Sequence, residues 1–229
     1  MKACFKERIE NQKLEDASTL PVLDLLEYDN PQSVVEFTRS ILAHLSEGDQ
    51  KYPSNFMENQ NEIDFKKRSY LVDYLIEVHY KFKLKQETLY IIVDLVDRYF
   101  MREADVPKKD LQVLGITALH IAAKYEEIYP PSLNKLIRVT QSNTTKQEVI
   151  EMEIKMLTVL DFDILLPSAF TFLERFCRLI QVKDKVFFLA QYFCEFALMD
   201  KTLVSFQASK IAAISLFTAL RLDSKNEMS

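Results

Sequence analysis

Pro107-Lys108-Lys109-Asp110-Leu111-Gln112-Val113-Leu114-Gly115-Ile116-Thr117-Ala118-Leu119-His120-Ile121-Ala122-Ala123-Lys124-Tyr125-Glu126-Glu127 decides the fold class. Wound on a helix, Leu111, Val113, Leu114, Ile116, Ala118, Leu119, Ile121, Ala122 and Ala123 point in all directions. A helix that is apolar all round has to be surrounded, and covering it takes about three or four neighbouring helices. Gly115 and the alanines let neighbouring backbones approach closely, which compensates for the poor helix propensity of the glycine.

The neighbours stand on both sides of this stretch. Upstream, Leu71, Val72, Leu75, Ile76 and Val78 recur at helical spacing between Phe65 and Phe82, and Leu89, Ile92, Val93, Val96, Tyr99 and Phe100 continue the pattern in a second helix. Earlier still, Asn30-Pro31 offers an N-cap and a proline at the first helical position of a helix carrying Val34, Val35, Ile41, Leu42 and Leu45 and ending near Gly48. A polar stretch, Asp49 to Glu62, links it to Phe65. Downstream, Tyr129-Pro130-Pro131 stops the central helix, and Ser132 caps a short one. Two overlapping capping boxes, Thr144 with Gln147 and Thr145 with Glu148, then open a helix through about Leu160. Beyond Pro167, helical patterns cover Ser168–Ile180, Lys183–Asp200 and Ser205–Leu222, the last again small and apolar around most of its circumference. The chain reads as an internal duplication with a period of about 100 residues, whose second copy lacks the helices that would cover its own centre. Ser205–Leu222 is therefore expected to expose apolar surface unless a partner covers it.

Composition removes whole classes of chemistry. Among 229 residues there are two glycines, Gly48 and Gly115, too far apart to build a P-loop, a dinucleotide fingerprint, a kinase glycine loop or a nucleophile elbow. The histidines His44, His79 and His120 form no H-E-x-x-H helix, and Cys4, Cys177 and Cys194 form no C-x-x-C pair, so neither a metal nor another cofactor is expected. No apolar run approaches the length that spans a bilayer. Net charge is −5 with scattered lysines, which argues against nucleic acid as a partner.

Arg68-x-x-Leu71-Val72-Asp73-Tyr74-Leu75-Ile76-Glu77-Val78, Glu87-Thr88-Leu89, Asp97-Arg98-Tyr99-Phe100, Leu111-Gln112-Val113-Leu114-Gly115 and Ala122-Ala123-Lys124-Tyr125-Glu126-Glu127-Ile128-Tyr129-Pro130-Pro131 stand in the order of a cyclin box. Asp29-Asn30-Pro31-Gln32-Ser33-Val34-Val35-Glu36-Phe37 is similar to the lead-in helix of mitotic, B-type cyclins, and the resemblance runs over about residues 25 to 222. It implies an all-α cyclin fold, a five-helix bundle around a central helix followed by an incomplete second helical repeat. Residues 1–29 would be a poorly ordered N-terminal extension, 30–165 the lead-in helix plus N-terminal cyclin box, and 166–229 a partial C-terminal cyclin box. It implies also a non-catalytic subunit that forms a heterodimer with a cyclin-dependent serine/threonine protein kinase in mitotic control, in nucleus and cytoplasm.

By the same resemblance, Lys124 and Glu153 are the charged anchors that bracket the kinase's regulatory helix, with Tyr125, Phe162, Phe37 and Ile41 as apolar partners. Read without the resemblance, Lys124 is a cation near a helix C-terminus, Glu153 part of a solvated face, and the aromatics core. Arg68 and Asp97 correspond to a buried structural pair joining the first two helices of the box. The family's docking patch for Arg-x-Leu peptides of substrates and inhibitors falls on Lys67, Tyr70, Tyr74, Glu77, Leu111 and Gln112. Glu77, Leu111 and Gln112 match its pattern, whereas Lys67 replaces a methionine, Tyr70 an isoleucine and Tyr74 a tryptophan. A lysine in that groove repels an arginine motif, so docking here is expected to be altered. The rival reading is a cyclin-fold binding module, of transcription-factor type, that activates no kinase.

Overall fold

The computed structural model describes residues 20–227 except 28, 31, 32, 50, 51, 54 and 140–143, and among these every regular element is helical. The helices are α1 (Val22–Leu26), α2 (Thr38–Gly48), α3 (Phe65–Phe82), α4 (Gln86–Arg102), α5 (Leu111–Glu126), α6 (Leu133–Val139), α7 (Lys146–Val159), α8 (Ala169–Ile180), α9 (Asp184–Ala197) and α10 (Ala208–Glu227).

The expectation for residues 107–127 holds: α5 is buried at 114–119 and 121–123 and packs against α3, α4, α6 and α7. A Cβ on Gly115 would lie 2.8 Å from Leu71 Cδ1 and 3.4 Å from Leu75 Cδ2, so the glycine is what lets α3 come this close. Local chemistry sets the helix ends. Asp64 caps α3 by accepting a 2.8 Å bond from the Lys67 N–H. Of the two overlapping capping boxes, α7 uses Thr145 with Glu148, each side chain reaching the other's backbone N–H.

Helices α8, α9 and α10 pack on one another around Phe170, Leu173, Ala190, Cys194, Ala212 and Leu216, and α4 joins this second core through Tyr90, stacked on Phe170 with ring centroids 5.9 Å apart. Polar bonds join the two units: Arg68 Nη1 donates to the Leu198 carbonyl at 2.7 Å, Ser69 Oγ to the Met199 carbonyl at 3.0 Å, and Gln86 Nε2 to Glu195 Oε1 at 2.6 Å. The expected apolar exposure on Ser205–Leu222 is present at Phe206, Ile214, Phe217, Leu220 and Leu222, beside Phe188, Tyr192 and Phe196 of α9.

The lead-in helix departs from its expected start. Pro31 lies outside the described residues, and α2 begins only at Thr38, after a 3-10 turn at Val35–Phe37 entered through Val34 in the left-handed region at φ 40°. Asn30 is therefore not its N-cap; its side-chain amide donates instead to Glu27 Oε2 at 2.9 Å. Gly48 does end the helix, but not through a positive φ: a Cβ there would meet the Pro167 ring at 2.8 and 2.9 Å, so the glycine makes room for the connection between the units. Residues 20–27, expected to belong to a poorly ordered extension, instead form α1 and fasten to α8; the rest of the extension lies outside the described residues. The stretch expected as a plain polar linker also has structure. Gln60 is buried, donating to the carbonyls of Phe100 at 2.9 Å and Glu103 at 2.5 Å and accepting from the Val106 N–H at 2.9 Å.

Candidate functional site

Lys124 sits in the last turn of α5 and Glu153 in the middle of α7, and the packing of these helices puts the Lys124 ammonium directly on Glu153 Oε1. The lysine thus spends its charge on Glu153 across the helix interface. Its side chain is 45% exposed and that of Glu153 16%, so the pair lies at the surface with its carboxylate half-sheltered. An ion pair this accessible contributes only ~0–1 kcal/mol, and opening it toward a partner costs correspondingly little. One turn earlier, burial pushes the His120 imidazole below the ordinary histidine value, and the Lys124 charge adds to the effect against the opposing pull of Glu153.

The apolar candidates are exposed. Tyr125 follows Lys124 and is half-exposed, as is Phe37, while Ile41 is 43% exposed and Phe162 69%. Ile128, Tyr129 and Ile154, which are not among the apolar contacts that the resemblance implies, are also well exposed and lie within a few residues of the anchors. Phe162 stands in the turn after α7, where Asp161 and Phe162 both take left-handed backbone at φ 54° and 58°. Two arginines of α4 hold this turn. Arg98 donates to the carbonyls of Asp163 at 2.8 Å and Ile164 at 3.1 Å, and Arg102 donates to the Val159 carbonyl at 3.0 Å and Asp161 Oδ2 at 3.1 Å. Arg98 is itself buried, paired to Asp94 at 2.6 Å, and Asp94 accepts from the Tyr52 hydroxyl. Burial raises the Asp94 carboxyl above the usual aspartate range despite Arg98, and it raises the Tyr52 phenol as well. Asp94, Arg98 and Tyr52 were not legible as support for the turn, although Arg98 lies inside the quoted Asp97-Arg98-Tyr99-Phe100 run.

Helix α2 packs on the second unit. Phe37 closes the 3-10 turn before it and Ile41 lies in its second turn, both exposed; Leu45, one turn beyond Ile41 on the same face, packs on the second core, and the end of the helix abuts Pro167, five residues beyond Phe162. Just past that end, buried Asp49 accepts from the Ser209 N–H at 3.3 Å at the start of α10, an acidic cap supplied from 160 residues away.

Arg68 and Asp97 are joined by two bonds of 2.6 and 2.5 Å with side chains 0% and 1% exposed. Burial pushes the Asp97 carboxyl above the ordinary aspartate value, against the pull of the guanidinium. The docking-patch candidates share the α3 and α5 surface. Lys67, Tyr70, Tyr74 and Glu77 follow one another along α3, while Leu111 and Gln112 open α5; Tyr74 and Leu111 pack on the first core, whereas Tyr70, Glu77 and Gln112 are exposed. The Lys67 ammonium lies 3.6 Å from Asp64, and the Lys66 ammonium lies 5.8 Å from the Tyr70 ring centroid. Among the described residues, no group of His, Cys, Asp and Glu is placed to hold a metal ion, and no helix is long and apolar enough to cross a membrane.

A helical bundle with a buried central helix, followed by a second helical unit and carrying an exposed charged pair flanked by aromatics, defines a class of helical binding proteins. The N-terminal cyclin domain matches residues 40–165 and the C-terminal cyclin domain residues 167–228, and the chain belongs to the cyclin family. It is 37% identical over 219 residues to Cyclin-B2-2 of Arabidopsis thaliana, covering 94% of this chain and 51% of that protein. To the G2/mitotic-specific cyclin-B of Spisula solidissima it is 38% identical over 202 residues, covering 87% of this chain and 47% of the other. The chain thus spans about half the length of the curated relatives it matches. A viral cyclin from herpesvirus saimiri shares the fold, with a TM-score of 0.68 at 23% identity over 75% of this chain and 77% of that one.

Proposed function

We propose that the chain is a non-catalytic regulatory subunit that binds and activates a cyclin-dependent serine/threonine protein kinase in mitotic control, acting in nucleus and cytoplasm. The observation that supports this reading most is the meeting of Lys124 and Glu153, 29 residues apart in sequence, at an exposed surface flanked by Tyr125, Ile128, Tyr129 and Ile154. The two charges can turn from each other to the polar ends and backbone of a kinase helix, while the aromatics supply buried area. An activator of this kind works only through tighter binding to the active kinase conformation than to the inactive one, and a surface combining charged anchors with large apolar side chains suits such discrimination.

Affinity capture from the source cells, followed by a histone-type kinase assay on the bound fraction, tests the reading. Copurifying kinase activity is the expected result. The double variant Lys124→Ala/Glu153→Ala should keep its helical content and lose the kinase; a folded double variant that binds as tightly as the parent overturns the site assignment. For substrate and inhibitor peptides, the Lys67 and Tyr70 positions argue for weakened Arg-x-Leu docking, which Lys67→Met should restore in a peptide-binding titration.

A further inference from the structure

Resting on the kinase-binding reading, we infer that Asp24 and Arg175 are positioning residues: their largely buried ion pair latches the N-terminal strap, the segment from α1 to the 3-10 turn at Val35–Phe37, to the second unit and thereby fixes how Phe37 and the start of α2, with Ile41, are presented. Asp24 accepts from Arg175 Nη1 at 2.6 Å and from Nη2 as well, a two-pronged contact spanning 151 residues, with the carboxylate 4% exposed. Such geometry suits a guanidinium and is directional as well as attractive. One turn along α8, Arg178 stands 3.8 Å from Glu27, and Glu27 also accepts from Asn30 Nδ2 at 2.9 Å and Ser33 Oγ at 2.8 Å. Those bonds hold the Glu27 carboxyl below its ordinary value, in the ionised form that Arg178 attracts. The polar contacts thus run from α8 through Glu27 to Ser33, and the next residue, Val34, is bent into left-handed backbone before buried Val35 and the 3-10 turn deliver the chain to α2. A β-branched residue takes that conformation only where its surroundings impose it.

At its other end, α2 is held by the Gly48–Pro167 contact, by Asp49 on α10 and by Leu45 on the second core. Phe37 and Ile41 lie between the two attachments, and the latch is the attachment at the Phe37 end. The described strap residues contribute no side chain to either main core, so losing the latch frees α2 at its start while leaving both cores packed.

The test uses the full chain with Asp24→Asn, Arg175→Gln and the two combined. In hydrogen exchange of the free chain, each single change should lower protection over residues 38–45 by about tenfold or more while α5 is unaffected, and the combined variant should be no worse than either single one. In titrations with a purified cyclin-dependent kinase, Asp24→Asn should weaken binding in the parent but have no further effect in a Phe37→Ala/Ile41→Ala background, a non-additivity that a merely stabilising pair would not give. If Arg175→Gln fails to fold, Asp24→Asn, which keeps the side-chain shape and lies outside both cores, carries the test. Unchanged α2 exchange, or additive losses of kinase affinity, overturns the latch. Failure of the parent to bind any cyclin-dependent kinase overturns the proposed function instead and leaves the exchange measurement as the judge of the latch.

Discussion

Replacing Arg68 with Met should be among the most destabilising single changes in the chain. Methionine fills much the same volume, so the change isolates the charge: Asp97 is left 1% exposed without its guanidinium, and the Leu198 carbonyl loses its donor. The guanidinium carbon also lies 5.0 Å from the Phe65 ring centroid and 5.9 Å from that of Phe56, contacts a thioether replaces only in part. Breaking one side of a buried pair costs about 3–5 kcal/mol, out of a typical total of about 5–15 kcal/mol. With a urea dependence near 2 kcal/mol per molar, the midpoint should fall by about 2 M. The chain has no tryptophan, so far-UV circular dichroism is the suitable probe. Adding Asp97→Leu should recover most of the loss, because no charge is then stranded; a double variant as unstable as Arg68→Met would refute the reasoning. The pH dependence gives a second check. Burial already raises the folded-state value of Asp97, and removing Arg68 raises it further. The fold then favours the protonated acid, so the deficit of the variant should be larger at pH 7 than at acid pH and shrink as the pH is taken down toward the unfolded aspartate value of about 3.9.

Thr145→Ala removes the side-chain half of the α7 capping box and should cost about 1 kcal/mol in the same urea titration, with Thr145→Ser costing much less. Because His120 is depressed in the folded chain, its contribution is present above the ordinary histidine value of about 6.5 and is lost as pH falls below it. Thermal melts from pH 7.5 to 5.5 should show that loss, and His120→Gln should reduce it. The buried thiols of Cys177 and Cys194 are each pushed up to about 11, so neither should react with a thiol reagent at pH 8 until the chain is unfolded.

Features legible in the sequence are those whose signal is local or periodic. Helix α5 announced itself because nine residues pointing in all directions leave no solvent face, and α3 appears with the expected ends because Asp64 caps it and the apolar spacing runs unbroken to Phe82. The family match of residues 40–165 and 167–228 agrees with the motifs that pointed to a cyclin box. The strap was illegible for the opposite reason: Asp24 is one acid in a polar stretch, and only Arg175, 151 residues away, makes it a buried group. Asn30-Pro31 carried strong starting signals for α2, yet the Glu27 carboxylate claims Asn30, and Val34 turns the chain left-handed before the helix begins. Gln60 is a similar case, since nothing around it in sequence reveals that its amide will fill the gap between the carbonyls of Phe100 and Glu103.

The turn at Asp161 and Phe162 bears on the thermodynamics of association. Two consecutive non-glycine residues in left-handed backbone cost roughly 1–2 kcal/mol each, and a free loop would avoid that shape. Here Arg98 and Arg102 enforce it within the unbound chain, so the cost is met once, at folding. A ligand meeting Phe162 need not supply the ordering entropy that a mobile loop would demand, and that saving is what rigidity contributes to affinity. The same rigidity narrows choice: a partner must already carry a recess matched to the position at which this fixed backbone presents the Phe162 side chain.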